Sequence, residues 1–301
     1  MIVEVPFLKM SNCNLCQWKC NVDREKTFGV CKCGTVPKLA LANVHQWEEP
    51  CISGENGSGT VFFSGCNFKC VFCQNYSISQ EGFGKEVSVQ RQAQIFLELQ
   101  EKKVHNINLV TPTPYVNHII GAIDMARKQG LQLPIVYNTN SYETPETIRM
   151  LKGYIDIYLP DLKYASDETA LSLSQIPHYF ETACKAIEEM ITQVGEPQFD
   201  EKGMMKKGVI IRHLVLPGHL TETKKVIEWV KEKGKDKVYL SIMAQYFPTY
   251  MAKEYPDMNR KLSRKEYQLV LKMLKNVEQG YIQELSDFEE EYVPEFDLRG
   301  V

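Results

Sequence analysis

The chain has 301 residues, 24% of them charged and 44% hydrophobic, and its formal net charge is −3 at pH 7. This is typical of a soluble globular protein long enough for one large domain with a full core. The small net charge argues against nucleic acid or an anionic membrane as a partner. Because the sequence has neither an 18-residue apolar span nor the basic and apolar start of a signal peptide, we expect a cytoplasmic protein without a membrane partner.

Ten cysteines are many for this length, and nine of them fall between positions 13 and 73. The tenth, Cys184, lies in a predicted helix and is best explained as a buried structural residue. A secreted disulfide framework would more often spread its cysteines and follow a signal peptide. The clustering therefore favours metal ligation in a reducing compartment. An exposed iron–sulfur cluster would further indicate an anaerobic cell or a site protected from oxygen.

Residues 1–59 are poor in periodic apolar runs, so we predict an N-terminal extension packed on the main domain. It contains four cysteines spaced C-x2-C-x3-C-x10-C, which are Cys13, Cys16, Cys20 and Cys31. Four thiols so close together can bind a metal, and an auxiliary iron–sulfur cluster is the leading interpretation. Structural zinc and unligated thiols are the alternatives, since four thiolates around zinc can fold a small extension.

From about residue 60, short apolar runs alternate with longer amphipathic stretches, as in the helical spacing of 89–99 after Ser88, a candidate N-cap. Six such units in series predict an α/β fold, a partial (β/α)6 TIM-like barrel with helices outside a parallel sheet. The predicted strands are 60–64, 106–111, 134–138, 155–160, 208–215 and 238–243. The predicted helices lie near 88–103, 115–130, 144–152, 166–193, 219–234 and 263–278.

These patterns predict three segments: a cysteine-rich extension over 1–59, a barrel over 60–280 and an acidic tail over 281–301. The tail carries seven acidic residues and no basic residue between positions 284 and 297, which usually indicates a solvated segment. Four interspersed apolar residues suggest that it docks by its apolar side, namely Phe288, Tyr292, Val293 and Phe296.

The loop after the first predicted barrel strand carries Cys66, Cys70 and Cys73 at C-x3-C-x2-C spacing. Three thiolates on one short loop can ligate three irons of a [4Fe–4S] cluster and leave the fourth iron open to bind a small molecule and pass it an electron. Zinc would need a fourth ligand, which Cys51 could supply. The position at the carboxyl end of a strand, where barrel active sites are built, argues against zinc.

Together with Phe72, these cysteines give the loop a resemblance to the radical S-adenosylmethionine (SAM) superfamily. The β-α units extend this resemblance over about residues 58–280. A closer similarity is to uncharacterised iron–sulfur relatives of the pyruvate formate-lyase activating enzymes. It is carried by the stretches 48–54, 62–66, 73–75, 161–163, 211–218 and 243–246.

The resemblance implies a radical SAM oxidoreductase. SAM would bind the open iron of the [4Fe–4S] cluster through its amino and carboxylate groups, and its reductive cleavage would give a 5′-deoxyadenosyl radical that abstracts a substrate hydrogen. The electron would come from a donor such as flavodoxin or ferredoxin. An activating enzyme would take hydrogen from a glycine of a glycyl-radical enzyme, and the alternative is an enzyme that modifies a free metabolite or a peptide. A non-catalytic electron-transfer or zinc-binding module is disfavoured by the complete motif on a barrel.

SAM-binding residues are expected at the carboxyl ends of the strands. Phe72 can pack against the adenine ring, and Lys163 should bind the SAM carboxylate by the resemblance. Relatives usually end the second strand in an acidic motif that receives the SAM amino group. Here the strand is followed by Thr111 and Thr113 in a Thr-Pro-Thr-Pro run, so hydroxyls or backbone carbonyls must make that contact.

The third strand is followed by Asn138 and Asn140, two further candidates for SAM binding. Asp161 with Thr139 or Asn140 could hold a structural cation, and an Asp161–Lys163 surface pair is the alternative.

On the fifth strand, Arg212 and His213 point to opposite sides, and we expect Arg212 to face the interior. After the sixth strand, Gln245 stands where relatives place a SAM ribose contact and often have a histidine. No catalytic residue is predicted from the sequence.

Overall fold

The computed structural model describes residues 12–277, 279–285 and 294–301. Its strands are β1 (Lys38–His45), β2 (Ser58–Phe63), β3 (Lys85–Glu86), β4 (Ile107–Val110), β5 (Ile135–Thr139), β6 (Ile157–Pro160), β7 (Gln198–Phe199), β8 (Met205–Leu214), β9 (Tyr239–Met243) and β10 (Gly280–Ile282). Its helices are α1 (Pro50–Ser53), α2 (Tyr76–Ser79), α3 (Val89–Glu101), α4 (Val116–Lys128), α5 (Pro145–Met150), α6 (Asp167–Ser174), α7 (Tyr179–Val194), α8 (Leu220–Trp229) and α9 (Arg264–Met273). None of the helices among these residues is long and apolar enough to cross a membrane.

The main sheet has the strand order β10-β9-β8-β6-β5-β4-β2-β1-β3. All neighbours from β2 to β10 pair in parallel, and helical segments connect successive parallel strands, as such pairing requires. The order ends at β10 on one side and β3 on the other, so the sheet stays open. The predicted partial TIM-like barrel is thereby confirmed.

Strand β1 was not predicted from the sequence, although it extends the sheet by pairing antiparallel with β2. Its central residues 39–42 are all buried, so it has a continuous apolar run instead of the alternation that marks a half-buried strand. The cysteine-rich extension therefore contributes a strand to the same sheet as the barrel.

The predicted helix over 166–193 is two helices, α6 and α7. Between these two helices, Gln175 and His178 adopt left-handed backbone conformations, with φ of 55° and 51°. Pro177 explains the break, because proline cannot donate the helical hydrogen bond and disfavours a helical conformation in the preceding residue. The break places the end of α6 beside the cysteine loop, where Ser174 O accepts from Lys69 N at 3.1 Å.

Helix α1 lies at the end of the barrel where the parallel strands begin. Ile52 is fully buried, and its carbonyl accepts from Asn106 Nδ2 at 2.8 Å. Asn106 immediately precedes β4 and its Oδ1 accepts from Ser58 Oγ at 2.6 Å at the start of β2. These bonds fix the segment before α1, which carries Glu48 and Glu49 into the interior cavity.

The N-terminal extension and the final residues both contact the barrel. Buried Arg24 donates to the carbonyl of Pro114, after β4, and Trp18 Nε1 donates to Asn67 O at 2.9 Å in the cysteine loop. Near the C-terminus, Leu298 N donates to Ala40 O at 3.0 Å. The predicted apolar residues Phe288, Tyr292 and Val293 lie outside the described residues, whereas Phe296 packs edge-on against Phe62 with ring centroids 5.4 Å apart. The division into three segments stays a prediction.

Ser88 caps α3, as its position before the helical pattern predicts, with its Oγ accepting from Arg91 N at 3.1 Å. We expect Ser88→Ala to lower the free energy of unfolding by about 1 kcal/mol, because one helical N–H loses its partner. Urea denaturation measures the loss. Ser88→Gly is the matched control and should cost only a few tenths of a kcal/mol. Equal stability of Ser88→Ala and wild type would contradict the capping role.

Candidate active site

Cys66, Cys70 and Cys73 lie in the loop between β2 and α2 and line one cavity of about 530 Å³. Gly65 begins this loop with a φ of 87°, and a Cβ at this position would clash with Cys33 Sγ. Only glycine satisfies both the left-handed conformation and the close approach. The loop is fixed by backbone bonds, among them Val71 N to Leu173 O at 2.9 Å.

Phe68 anchors the middle of the loop in the core. Its ring is 1% exposed and packs edge-to-face against Tyr142 and Tyr179, with centroids 5.6 and 5.5 Å apart. Aromatic pairs of this geometry add stability beyond the area that they bury. The three thiols are therefore presented from a rigid support.

A polar side chain lies next to each thiol sulfur. The pairs are Ser174 Oγ with Cys70 at 3.0 Å, Ser79 Oγ with Cys73 at 3.1 Å and Asn140 Nδ2 with Cys66 at 3.6 Å. Burial raises the pKa of all three thiols, to about 11 for Cys70, so they hold their protons when no metal is bound. Hydrogen-bond donors at the sulfurs suit thiolates that a metal has deprotonated. This donor set fits an iron–sulfur cluster.

A network of buried charges lines the same cavity. Arg212 Nε lies 2.9 Å from Asp161 Oδ1, and Lys163 Nζ lies 2.7 Å from Asp161 Oδ2. The guanidinium also contacts Glu48 Oε2 at 3.2 Å and donates to Asn138 Oδ1 at 2.6 Å. Burial opposes ionisation of Asp161, but the charges of Arg212 and Lys163 hold its pKa below the usual value.

Most of the sequence-predicted SAM residues converge on this cavity. Those that line it with the three cysteines are Phe72, Thr111, Asn138, Asn140, Asp161, Lys163, Arg212 and Gln245. Thr113 is the exception: it is buried outside the cavity lining, and its hydroxyl donates to Glu143 Oε1 at 2.5 Å. The short 3-10 turn Thr113–Tyr115 carries its side chain away from the strand end.

Two alternatives left by the sequence are resolved by the geometry. Arg212 lines the cavity, whereas His213 is buried on the other side, with Nδ1 2.7 Å from Leu162 O and Nε2 2.9 Å from Thr223 Oγ1. Both oxygens of Asp161 already contact a cationic side chain. Lys163 and Arg212 therefore neutralise Asp161 where a structural cation was suggested.

Sequence reasoning did not assign a site role to Glu48, Glu49, Asn67 or Ser174. Glu48 lies within a stretch that carried the family resemblance, which is the only signal that could have found it. Asn67 accepts from Asn140 Nδ2 at 2.7 Å, and its own Nδ2 has no partner among the described residues. Ser174 is 104 positions from Cys70 in the sequence, so no local pattern connects the two.

The four candidate auxiliary ligands lie in the extension, with Cys13 buried and Cys16, Cys20 and Cys31 half-buried. Neighbouring Cys33 donates from Sγ to Cys31 O at 3.2 Å. Across the described ranges, the histidine, cysteine and acidic side chains form no ready-made group of three metal ligands, in the extension or in the Cys66–Cys73 loop. The assignment of these cysteines as metal ligands therefore rests on the chemistry of their thiols and not on a preformed ligand geometry.

Residues 60–195 match the Radical SAM superfamily. The uncharacterised protein MJ0674 of Methanocaldococcus jannaschii is 34% identical over 281 residues, which cover 90% of this chain and 76% of that protein.

Among solved structures, HydG, a maturase of the [FeFe]-hydrogenase, has a TM-score of 0.51 at 13% identity, covering 75% of this chain and 51% of HydG. A radical SAM methyltransferase from Sphaerobacter thermophilus has a TM-score of 0.50 at 12% identity, covering 74% of this chain and 66% of that one. These two structures share the fold. The predicted resemblance is confirmed, and the chain belongs to the radical SAM superfamily.

Proposed function

We propose that Cys66, Cys70 and Cys73 hold a [4Fe–4S] cluster and that the cavity beside them binds SAM. Membership of the superfamily implies both groups and a reductant. The observation that carries the residue assignment is the convergence of three thiols and a charge network on one cavity at the carboxyl ends of parallel strands. When bound, the cluster and SAM supply one-electron cleavage to a 5′-deoxyadenosyl radical, which removes a substrate hydrogen.

Lys163 is the residue that we assign to the SAM carboxylate. Its side chain is 20% exposed and is oriented by Asp161, which Arg212 holds from the other side. An ammonium fixed in this way offers a charge-assisted hydrogen bond without having to be ordered when SAM binds.

Other cavity residues complete the proposed SAM site. The Phe72 ring, held edge-on to Tyr246 with centroids 6.0 Å apart, presents an apolar surface for adenine. Gln245 accepts from Gln283 Nε2 at 2.9 Å, which orients it for the ribose. Thr111 and Asn140 supply oxygens for the SAM amino group.

The first candidate substrate is a glycine of a glycyl-radical enzyme, which follows from the similarity to activating-enzyme relatives. One observation favours the alternative of a free metabolite or a peptide. Pro294 and the residues 281–283 line the cavity together with Trp47 of the extension, so both ends of the chain contribute to its wall. A partly covered cavity suits a small substrate better than the loop of a large folded partner.

A flavodoxin or ferredoxin remains the proposed electron donor, and the extension remains a proposed auxiliary metal site with a second iron–sulfur cluster ahead of zinc. Metal analysis of a variant with Cys66, Cys70 and Cys73 replaced by alanine separates these options. Residual iron and sulfide would support a second cluster. Stoichiometric zinc without iron would support a structural zinc site.

Anaerobic incubation with SAM and dithionite tests the proposed function, and we expect the release of 5′-deoxyadenosine. In a SAM-binding measurement on the same anaerobic protein, Lys163→Ala should raise the Kd for SAM about 10- to 100-fold, because a charged hydrogen bond contributes about 1.5–3 kcal/mol. Lys69→Ala is the matched control, since Lys69 lies in the cysteine loop with its side chain exposed. Equal affinities in both variants would contradict the role of Lys163.

A further inference from the structure

Glu49 is a carboxylate buried in the cavity wall, and no ion pair joins it to another of the described residues. The residue is 7% exposed, and its Oε2 has no hydrogen-bond partner in the part of the chain that the structure describes. Its neighbour Glu48 differs, because one oxygen accepts from Asn108 Nδ2 at 3.0 Å and the other contacts Arg212 at 3.2 Å. Burying a carboxylate without a partner is costly, which points to a ligand that supplies the missing donor.

The backbone around Glu49 is fixed by hydrogen bonds. Its carbonyl accepts from Ile52 N at 2.8 Å and from Ser53 N at 3.0 Å, while Ser53 Oγ accepts from Glu48 N at 2.9 Å. The segment is also fixed through Asn106 to the start of β4. The point from which the Glu49 side chain enters the cavity is therefore fixed before a ligand binds.

Glu49 lies in a different part of the cavity from the cysteine loop. It approaches from the segment before α1, at the end where the strands begin, and lines the cavity together with Ser241 of β9. Ser241 is in register with Arg212 and two residues before the last residue of β9. The cysteines instead follow the last residue of β2, where SAM is expected. Glu49 and the three thiols therefore enter the cavity from different segments of the chain.

The charges of the cavity indicate which ligand Glu49 favours. Among the residues that the structure describes, three carboxylates line it, from Glu48, Glu49 and Asp161, against the two permanent cations of Lys163 and Arg212. Burial raises the pKa of Glu49 and the charge of Arg212 opposes this only in part, so a bound cation would favour its ionised form. A hard metal ion would need several free oxygens, but both oxygens of Glu48 and of Asp161 are already occupied.

We propose that Glu49 binds a cationic nitrogen of the substrate, so that the substrate is an amine or guanidine, free or at the end of a peptide side chain. An N–H cation supplies both the donor that Oε2 lacks and the charge that balances the third carboxylate. The inference rests on the proposed function, because the substrate is placed in the cavity that also holds SAM.

The test measures the binding of two probes to the anaerobically reconstituted, SAM-loaded enzyme by isothermal titration calorimetry. The probes are butan-1-amine, which is charged at pH 7, and butan-1-ol, a neutral molecule of the same length. We expect the amine to bind wild type about 10-fold more tightly than the alcohol. Glu49→Gln should remove this preference, and Glu55→Gln should keep it, because Glu55 is exposed and does not line the cavity.

Equal affinity of wild type for both probes would overturn the inference, whatever the variants do. So would the same amine preference in Glu49→Gln as in Glu55→Gln, or a 10-fold loss of SAM affinity in Glu49→Gln alone, which would assign the carboxylate to the cofactor. Release of 5′-deoxyadenosine by the same wild-type preparation without a probe distinguishes a failure of the proposed function from a failure of the role of Glu49. If it is absent, the proposed function fails; if it is present and the amine preference is absent, only the role of Glu49 fails.

Discussion

Replacing Arg212 with methionine should lower the free energy of unfolding at pH 7 by about 3–5 kcal/mol, the usual cost of removing one partner from a buried ion pair. The guanidinium contacts Asp161 and Glu48 within 3.2 Å, and its charge also acts on Glu49. Methionine keeps much of the volume but leaves these buried carboxylates with Lys163 as the nearest remaining cation of the network. Urea denaturation of the anaerobically prepared protein measures the loss.

The loss should depend on pH in a definite direction. In wild type, the pKa of Asp161 is below its ordinary value, so its ionisation stabilises the fold above the unfolded pKa of about 4, and this stability is lost as the pH falls through the folded pKa. Without Arg212 that contribution shrinks, and the pKa of the buried carboxylates rises. The difference between wild type and Arg212→Met should therefore grow from pH 4 to pH 7.

Arg149→Met is the matched control for this experiment. Arg149 is 52% exposed and pairs with Glu146, which is 72% exposed, so its removal should cost at most about 1 kcal/mol at either pH. A loss in Arg212→Met no larger than in Arg149→Met, or one that does not change with pH, would contradict the assigned charge network.

The sequence predicts the barrel because each parallel strand is a short apolar run between turn-forming residues, and all six predicted strands appear within a few residues of their expected bounds. Four short or atypical strands, β1, β3, β7 and β10, escaped this logic, and β1 and β10 show why. Strand β1 carries no alternation because residues 39–42 are buried throughout, and β10 has only three residues. The break between α6 and α7 lies at Pro177, which disfavours a helical conformation in the preceding residue and so marks the end of a helix in the sequence.

The cavity residues were predictable where they follow parallel strands, because the carboxyl ends of such strands meet at one end of the sheet. Asn138, Asp161 and Arg212 illustrate this, since they come from three different strands or strand ends and Arg212 contacts both of the others. Glu48 enters from the opposite end of the barrel and is 164 positions from Arg212, so no local pattern indicates their contact. Thr113 shows the converse, because a turn after β4 moves its hydroxyl out of the cavity.

Loss of one loop thiol should have the largest functional effect. Cys70 is 7% exposed and lines the cavity, and the proposed cluster depends on three thiolates from one loop. With only Cys66 and Cys73 remaining, we expect Cys70→Ala to lose the iron of this site and to release no 5′-deoxyadenosine above the background without enzyme. Far-ultraviolet circular dichroism establishes that the variant is folded.

Cys184→Ala supplies the control for this measurement, since Cys184 is a buried cysteine of α7 that does not line the cavity. The decisive comparison is the rate of 5′-deoxyadenosine release by wild type, Cys184→Ala and Cys70→Ala under anaerobic conditions with SAM and dithionite. We expect comparable rates from the first two proteins and none above background from the third. Release by Cys70→Ala at the wild-type rate would contradict the assignment of the cluster, and of SAM cleavage, to this loop.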